Sequence, residues 1–190
     1  MNQIHRWLCS SNSWRRTIGQ RLPWVLSAAD LGQDILEIGP GPGLTTDLLR
    51  SRASRITAIE IDSSLAQRLG ARLHGGNVQV LAGDATKMPF PDEHFSGGIA
   101  MTMLHHVPSP ELQNQLLREV WRVLRPGGPY VGSDSLPSLT MRLIHAGDTY
   151  VPVSPDTFGA RLESAGFRVL EIERGASAFR FHAQKRATHP

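Results

Sequence analysis

The sequence is poor in three features that would mark a membrane, secreted or nucleic-acid-binding protein. No apolar run approaches the roughly 18 residues that a membrane-spanning helix needs, because charged residues interrupt the hydrophobic stretches. Cys9 is the only cysteine among 190 residues, which excludes an intrachain disulfide. Lys and Arg number 20 against 17 Asp and Glu, and outside Arg15, Arg16 and Arg21 they are scattered. We therefore expect no integral membrane association and no nucleic-acid partner.

Composition also bounds the size and location of the protein. Polar residues interrupt residues 1–14, where a secretory signal would need a continuous apolar centre. Together with the single cysteine, this pattern predicts a cytoplasmic location. A chain of 190 residues with 40% hydrophobic content is long enough for one well-buried core and short for two. We therefore expect a single domain over residues 1–190.

Short β-rich runs alternate along the chain with segments that have helical spacing of apolar residues. The predicted strands are 34–38, 55–61, 78–81, 97–101, 130–133, 169–173 and 178–183. The predicted helices are 44–53, 64–73, 111–124 and 155–165. This alternation predicts an α/β fold, a doubly wound and mostly parallel sheet of seven strands. The last two strands are too close in sequence for a crossover, so they should form an antiparallel C-terminal hairpin.

A glycine-rich turn follows the first predicted strand. Strand 34–38 runs directly into Gly39, Pro40, Gly41, Pro42 and Gly43, and a predicted helix comes next. Glycine permits positive φ and close approach of the backbone to a ligand, while proline stiffens the turn. This order is typical of a cradle for a phosphate or a nucleoside. A tight connection that binds nothing is the alternative for this segment alone.

Two acidic residues follow the next two strands. Glu60 ends the second strand, where a carboxylate can accept hydrogen bonds from a ribose diol. Asp84 follows the third strand, where it could accept from the exocyclic amine of an adenine. Singly, Glu60 could be a solvated strand end and Asp84 a turn residue. The order of turn, acid and acid after successive strands nevertheless predicts that all three converge on one crevice.

Six motifs carry a resemblance to a known family. They are LEIGPGPG at 36–43, IEID at 59–62, GDA at 83–85, MPFPD at 88–92, LHHV at 104–107 and EVWRVLRPGG at 119–128. In this order they resemble the class I S-adenosylmethionine-dependent methyltransferases, particularly the small-molecule branch that includes ubiquinone and menaquinone methyltransferases. The resemblance implies a Rossmann-like sheet, S-adenosylmethionine as cofactor, and methyl transfer to an O, N or C nucleophile of a small, partly apolar molecule.

The resemblance also implies roles for individual residues. Glu37 and the glycine turn would hold the methionine part of the cofactor, Glu60 the ribose and Asp84 the adenine. The full implied set is Glu37, Gly39, Pro40, Gly41, Gly43, Glu60, Ile61, Asp84, Ala85 and Met101.

No catalytic residue is assigned from the sequence, and no metal ion is expected. His105, His106 and His145 are weak candidates for a general base. Adjacent histidines after a strand are more typical of residues that order a loop and line the cofactor site. The motifs supply no further ligands at metal-binding spacing. Transfer from a sulfonium can proceed mostly by positioning and exclusion of water, so a base is optional.

The segments around the motifs suggest a division of labour. Residues 1–33 would form an N-terminal cap, 34–134 the cofactor-binding core, 135–154 the acceptor-site segment, and 155–190 a C-terminal helix and strand hairpin. The acceptor pocket is expected from the cap, which contains Trp7, Trp14 and Trp24, and from the unassigned stretch 136–154. The candidate residues of that stretch are Met141, His145, Asp148 and Tyr150.

Two other functions stay open at this point. An NAD-dependent oxidoreductase would need Gly-x-Gly-x-x-Gly, and Leu44 occupies the position of its last glycine. A non-catalytic, regulatory protein that binds S-adenosylmethionine would keep every cofactor motif. The sequence disfavours the first alternative and does not separate the second from an enzyme. It assigns no oligomeric state.

Overall fold

A mixed seven-stranded sheet forms the centre of the molecule. The structure, a computed structural model, describes residues 11–187. The strands are β1 Asp34–Ile38, β2 Arg55–Glu60, β3 Val78–Ala82, β4 Gly97–Met101, β5 Pro129–Ser135, β6 Phe167–Arg174 and β7 Ala178–Lys185. Their order is β3-β2-β1-β4-β5-β7-β6. Strands β1 to β5 are parallel, and β7 is antiparallel to β5 and β6, which confirms the predicted mostly parallel sheet with a C-terminal hairpin.

Six α-helices accompany the strands in the described part of the chain. They are α1 Asn12–Leu26, α2 Leu44–Leu49, α3 Ser63–Arg72, α4 Pro110–Val123, α5 Leu139–Ile144 and α6 Pro155–Ser164. A short 3-10 helix, Leu104–His106, follows β4. The four predicted helices are present, although α2 ends at Leu49 rather than at residue 53. Within residues 11–187, no helix has the length and apolar character that crossing a membrane requires.

Helices cover both faces of the sheet. All five residues of β1 are buried, and consecutive residues point to opposite faces. Ile35 packs in a cluster with Ile18 of α1, whereas Leu36 packs on the other side with Leu117 of α4 and Phe158 of α6. This double covering explains why the central strands read as continuous apolar runs.

Sequence patterns did not predict α1 and α5. Ser11 is the N-cap of helix α1, and its Oγ accepts a hydrogen bond from the backbone N–H of Trp14 at 3.1 Å. It contains Pro23, a residue that usually ends a helix, and is held by burial of its apolar face. Helix α5 buries none of its residues and therefore leaves no clear periodic signal.

Several strands extend further than predicted. The most consequential case is β5, which begins at Pro129 and continues to Ser135. Its extension brings Asp134, completely buried, to the carboxyl edge of the sheet. Proline is tolerated as the first residue of a strand, where the missing N–H costs little.

The close packing of three strands around Gly132 gives a stability prediction. An added Cβ there would lie 2.3 Å from the Ala100 carbonyl oxygen and 2.5 Å from the Phe181 ring. The backbone of β4 cannot move away without breaking its pairing, so Gly132→Ala should destabilise the protein by about 2 kcal/mol or more. The matched control is Gly19→Ala on the exposed side of α1, where a Cβ meets nothing within 4 Å. It should be stabilising by about 0.5 to 1 kcal/mol. Urea unfolding midpoints measure both, and equal midpoints would contradict the packing argument.

Candidate active site

A pocket opens at the topological switch point of the sheet, where the order of the strands reverses. Strand β1 lies between β2 and β4, so the connections after β1 and β4 leave on opposite sides and a crevice forms at the strands' carboxyl ends. The cavity has a volume of about 440 Å³, which falls within the usual range for small-molecule sites, roughly 300 to 1,000 Å³. Eight of the ten residues implied by the resemblance line it: Gly39, Pro40, Gly41, Glu60, Ile61, Asp84, Ala85 and Met101. Glu37 and Gly43 do not.

The glycines of the turn have different reasons to be glycine. All three have positive φ: 62° at Gly39, 55° at Gly41 and 89° at Gly43. A Cβ at Gly41 would meet nothing within 4 Å, which leaves its face accessible to a ligand. A Cβ at Gly43 would lie 2.4 Å from the Leu69 side chain of α3. Gly43 thus permits helix packing, whereas Gly41 presents backbone to the cavity.

Glu60 connects the end of β2 to the glycine turn. Its Oε2 accepts a hydrogen bond from Gly41 N–H at 2.9 Å, and its Oε1 accepts from Asp62 N–H at 3.0 Å. The residue is only 6% exposed, so it is not a solvated strand end. Burial raises the pKa of Glu60, and the two backbone N–H groups oppose the rise. Each carboxylate oxygen has two lone pairs, and both oxygens can therefore accept further bonds from a diol in the cavity.

Glu37 lies beneath the turn, in the interior of β1. It is 2% exposed, and no hydrogen-bond partner for its Oε2 exists among the described residues. Burial raises the pKa of Glu37 to about 7; the Thr46 hydroxyl opposes the rise, while Asp47 and Glu60 add to it. A buried carboxylate oxygen without a donor is costly, by about 1 to 3 kcal/mol. An ammonium group bound at the turn would supply the missing donor, which fits the amino-acid end of S-adenosylmethionine.

Asp84 forms the turn that the sequence allowed, and it also lies at the cavity. Its Oδ1 accepts hydrogen bonds from the backbone N–H and the hydroxyl of Thr86, at 2.9 and 2.8 Å, and so turns the chain after β3. The residue also lines the cavity beside Ala85. Its carboxylate is therefore held in a fixed position at the edge of the pocket where the adenine is expected.

The two segments expected to bind the acceptor also line the pocket, and we call their lining residues the second wall. Helix α1 contributes Trp14 and Ile18, and the chain after α5 contributes Asp148 and Thr149. The other candidates of the 136–154 stretch, Met141, His145 and Tyr150, do not line this cavity. Trp24 also lies outside it, where its Nε1 donates to Glu173 at 3.3 Å. Trp7 lies outside the described residues.

The three candidate histidines lie together at one side of the pocket, around the 3-10 helix. His106 lines the cavity, while His105 and His145 are buried. His105 Nδ1 donates to the Asp134 carboxylate at 2.5 Å, and His145 Nδ1 donates to the Met141 carbonyl at 2.7 Å. Burial lowers the pKa of His145, and the Met141 carbonyl opposes the shift.

Asp134 is a site residue that sequence reasoning missed. It stands near the carboxyl end of β5 in the same way that Glu60 stands at that of β2. Its Oδ2 also accepts from the backbone N–H of His105 at 3.2 Å, so it fixes both the ring and the backbone of the 3-10 helix. The available signal was its type and place, an acid close behind a predicted strand.

Comparison with known proteins agrees with the fold and identifies the family. The family model described as methyltransferase domain matches residues 36–132, about half of the chain, including the glycine turn and both acids. A doubly wound sheet with this turn and these acids defines a nucleoside-cofactor fold. The chain belongs to the methyltransferase domain family, and the cofactor of this family and fold is S-adenosylmethionine.

Individual relatives extend the likeness over different lengths. A Mycolicibacterium smegmatis protein named "Probable S-adenosylmethionine-dependent methyltransferase" is 29% identical over 175 residues, 85% of this chain and 62% of that protein. A Methanospirillum hungatei protein named "Probable ribosomal RNA small subunit methyltransferase A" is 41% identical over 64 residues. That alignment covers 32% of this chain and only 25% of the length of the relative.

A solved structure has a similar fold over almost the whole chain. It is a chain from the complex between the Haloferax volcanii Trm112 methyltransferase activator and a methyltransferase. The TM-score is 0.79 at 15% identity, with 98% of this chain and 99% of that chain covered. At this identity the likeness shows the fold alone.

The position of Glu60 predicts a loss of cofactor affinity on truncation. Glu60→Ala should weaken S-adenosylmethionine binding about ten- to hundredfold, because hydrogen bonds to a charged group contribute roughly 1.5 to 3 kcal/mol. Calorimetry measures the dissociation constant. Glu163→Ala removes an exposed carboxylate from α6 and should leave it unchanged. An unchanged value in a folded Glu60→Ala protein would exclude the carboxylate from binding.

The raised pKa of Glu37 predicts that cofactor binding depends on pH. Below about pH 7 the carboxyl gains a proton and can no longer attract an ammonium group. Affinity for S-adenosylmethionine should therefore fall about tenfold or more as the pH is lowered from about 7.5 to about 5.5. In Glu37→Gln, affinity at the higher pH should be weak and the dependence shallower. A parallel dependence in both proteins would show that Glu37 does not titrate with binding.

Proposed function

We propose that this chain transfers a methyl group from S-adenosylmethionine to an O, N or C nucleophile of a small, partly apolar molecule. One observation supports this most: a single cavity joins the cofactor residues to a second wall of different composition. Glu60 and Asp84 line this cavity, and so do Trp14 of α1 and Thr149 of the segment after α5. Such a cavity offers a place for an acceptor beside the methionine end of the cofactor.

The chain's own contribution to the reaction is to bind, orient and exclude water. The cofactor supplies a methyl group on a positively charged sulfur, which a nucleophile attacks in line. Glu37 would hold the amino group, Glu60 the ribose and Asp84 the adenine, so the methyl group points along the cavity from one fixed position. Rigid placement of two reactants is a large source of rate enhancement. Met101, Met103 and Ile18 provide an apolar lining that limits water near the methyl group.

The second wall favours an acceptor that is partly apolar. Trp14 and Ile18 provide its apolar surface, and Asp148 and Thr149 provide its polar groups. A flat apolar ring with one or two polar substituents matches this composition. The basic residues of the chain are scattered, which disfavours a polynucleotide. The ribosomal-RNA-methyltransferase relative is matched over only 64 residues, so RNA enters as an outcome of the test.

The alternative of another class is a regulatory protein that binds S-adenosylmethionine without turnover. It would keep the cofactor contacts of Glu37, Glu60 and Asp84 and need no acceptor wall. The presence of the second wall in the same cavity favours the enzyme. An NAD-dependent oxidoreductase is disfavoured further, because Leu44 is buried at the start of α2 where a dinucleotide cradle has its last glycine.

The direct test measures formation of S-adenosylhomocysteine with three groups of acceptors: phenols and quinols, small amines and thiols, and ribosomal RNA. Turnover with a member of the first two groups is the expected result. Turnover with RNA alone would overturn the small-molecule assignment. Cofactor binding without turnover on any acceptor would favour the regulatory alternative, and binding of NAD in place of S-adenosylmethionine would overturn the function altogether.

The acceptor wall gives a prediction for variants of two tryptophans. Trp14→Ala should raise the KM of the acceptor about tenfold, since an aromatic contact contributes roughly 0.5 to 1.5 kcal/mol beyond its buried area. The dissociation constant of S-adenosylmethionine should stay within about threefold, a difference below 1 kcal/mol. Trp24→Ala, outside the cavity, is the matched control and should change neither. Loss of cofactor affinity in Trp14→Ala would show that this side chain contacts the cofactor.

A further inference from the structure

Three imidazole rings surround one point at the side of the pocket. The ring centroids of His105 and His106 are 4.2 Å apart, and that of His145 lies 5.0 Å from the first and 5.1 Å from the second. One ring nitrogen of each residue lies within 4.8 Å of those of the other two. The three rings therefore form a triangle, and a candidate ligand nitrogen of each lies close to those of the other two.

This triangle has the dimensions of a tetrahedral metal site. Three imidazoles bound to one zinc ion through bonds of about 2.0 to 2.1 Å have ring centroids about 5 Å apart. The ligand nitrogens of such a site are about 3.3 Å apart, so the nitrogens here would need to approach by at most about 1.5 Å.

Hydrogen bonds fix the neutral tautomer that metal binding requires in two of the three rings, His105 and His145. The Asp134 carboxylate and the Met141 carbonyl accept from Nδ1 of His105 and of His145, respectively. Each Nδ1 must therefore carry a hydrogen, which places the lone pair on Nε2. A carboxylate or carbonyl behind a histidine is the usual outer shell of a metal ligand, because it orients the ring and increases its basicity.

The backbone that carries the histidines is held from several directions. Val151 N–H donates to the His105 carbonyl at 2.8 Å. The buried side chain of Gln113 donates through Nε2 to the carbonyls of Leu104 and Val151, at 3.1 and 2.9 Å. Arg161 in turn donates to Gln113 Oε1 at 2.8 Å. The 3-10 helix and the segment after α5 are thus joined through α4.

We propose that His105, His106 and His145 bind a divalent transition-metal ion, with zinc the best match to three neutral imidazoles in tetrahedral positions. His106 lines the pocket, so the ion lies at the pocket wall, and its fourth position is available to water or to an acceptor atom. The spacing of residues in the sequence predicted no metal ion, because the two adjacent histidines have no third ligand close to them in the sequence. In the folded chain His145, which follows α5 in the sequence, lies beside them.

The test is a zinc titration of the full chain after dialysis against a chelator, in competition with a chromophoric chelator. One equivalent of zinc should bind. His106→Asn should weaken the affinity about a hundredfold or more, since His106 is the least buried ligand and its loss leaves the fold intact. His74→Asn changes an exposed histidine outside the cluster and should have no effect. Equal zinc affinity in His106→Asn and His74→Asn would overturn the proposal.

Two further measurements distinguish this site from other ligands of the chain. Cobalt bound at the cluster should give the visible absorption of a tetrahedral ion, and this absorption should persist in Cys9→Ser. Its loss in Cys9→Ser would assign the metal to the thiol instead. Asp134→Asn should weaken zinc binding about ten- to hundredfold, the usual effect of an outer-shell partner. Circular dichroism checks folding, and neither cofactor nor acceptor is present, so the result is independent of methyl transfer.

Discussion

The placement of β1 between two parallel neighbours is the constraint on which the site depends. Parallel strands end at the same edge of a sheet, and connections that leave β1 and β4 on opposite sides open that edge into a crevice. The glycine turn after Ile38, the acid after Ile59 and the chain after β4 all lead into this opening. A site built this way needs no other special geometry, because the sheet itself brings distant residues together.

Two buried carboxylates, Glu60 at the crevice and Glu37 beneath the glycine turn, differ in how they are stabilised. Glu60 is satisfied by two backbone N–H groups and holds the glycine turn in place. Glu37 has a buried oxygen with no donor among residues 11–187 and a pKa raised to about 7. Glu60 therefore contributes to stability, whereas the unpaired oxygen of Glu37 lowers it. A bound ammonium group would offset this loss. Local cost of this kind is typical of binding sites.

The acceptor side is assembled from parts that are separate in sequence. Helix α1 and the segment after α5 form the second wall, and His106 of the 3-10 helix lines the same cavity. Asp134 holds the 3-10 helix in place, since it fixes His105 through both the ring and the backbone. The elements expected to hold the cofactor are strands β1 to β4 and the turns that follow them. Those expected to choose the acceptor, α1 and the segment after α5, lie outside the strands.

Local periodicity and turn chemistry by themselves determined the seven strands, four helices, the hairpin and the crevice in which Glu60 and Asp84 meet. These features depend on neighbouring residues, and parallel strands then impose the convergence. Only the tertiary structure decided that α1 forms around Pro23, that Asp134 lies buried behind His105, and that His145 completes the histidine triangle. Burial energy and contacts between distant segments carry this information, and neither leaves a periodic trace in the sequence.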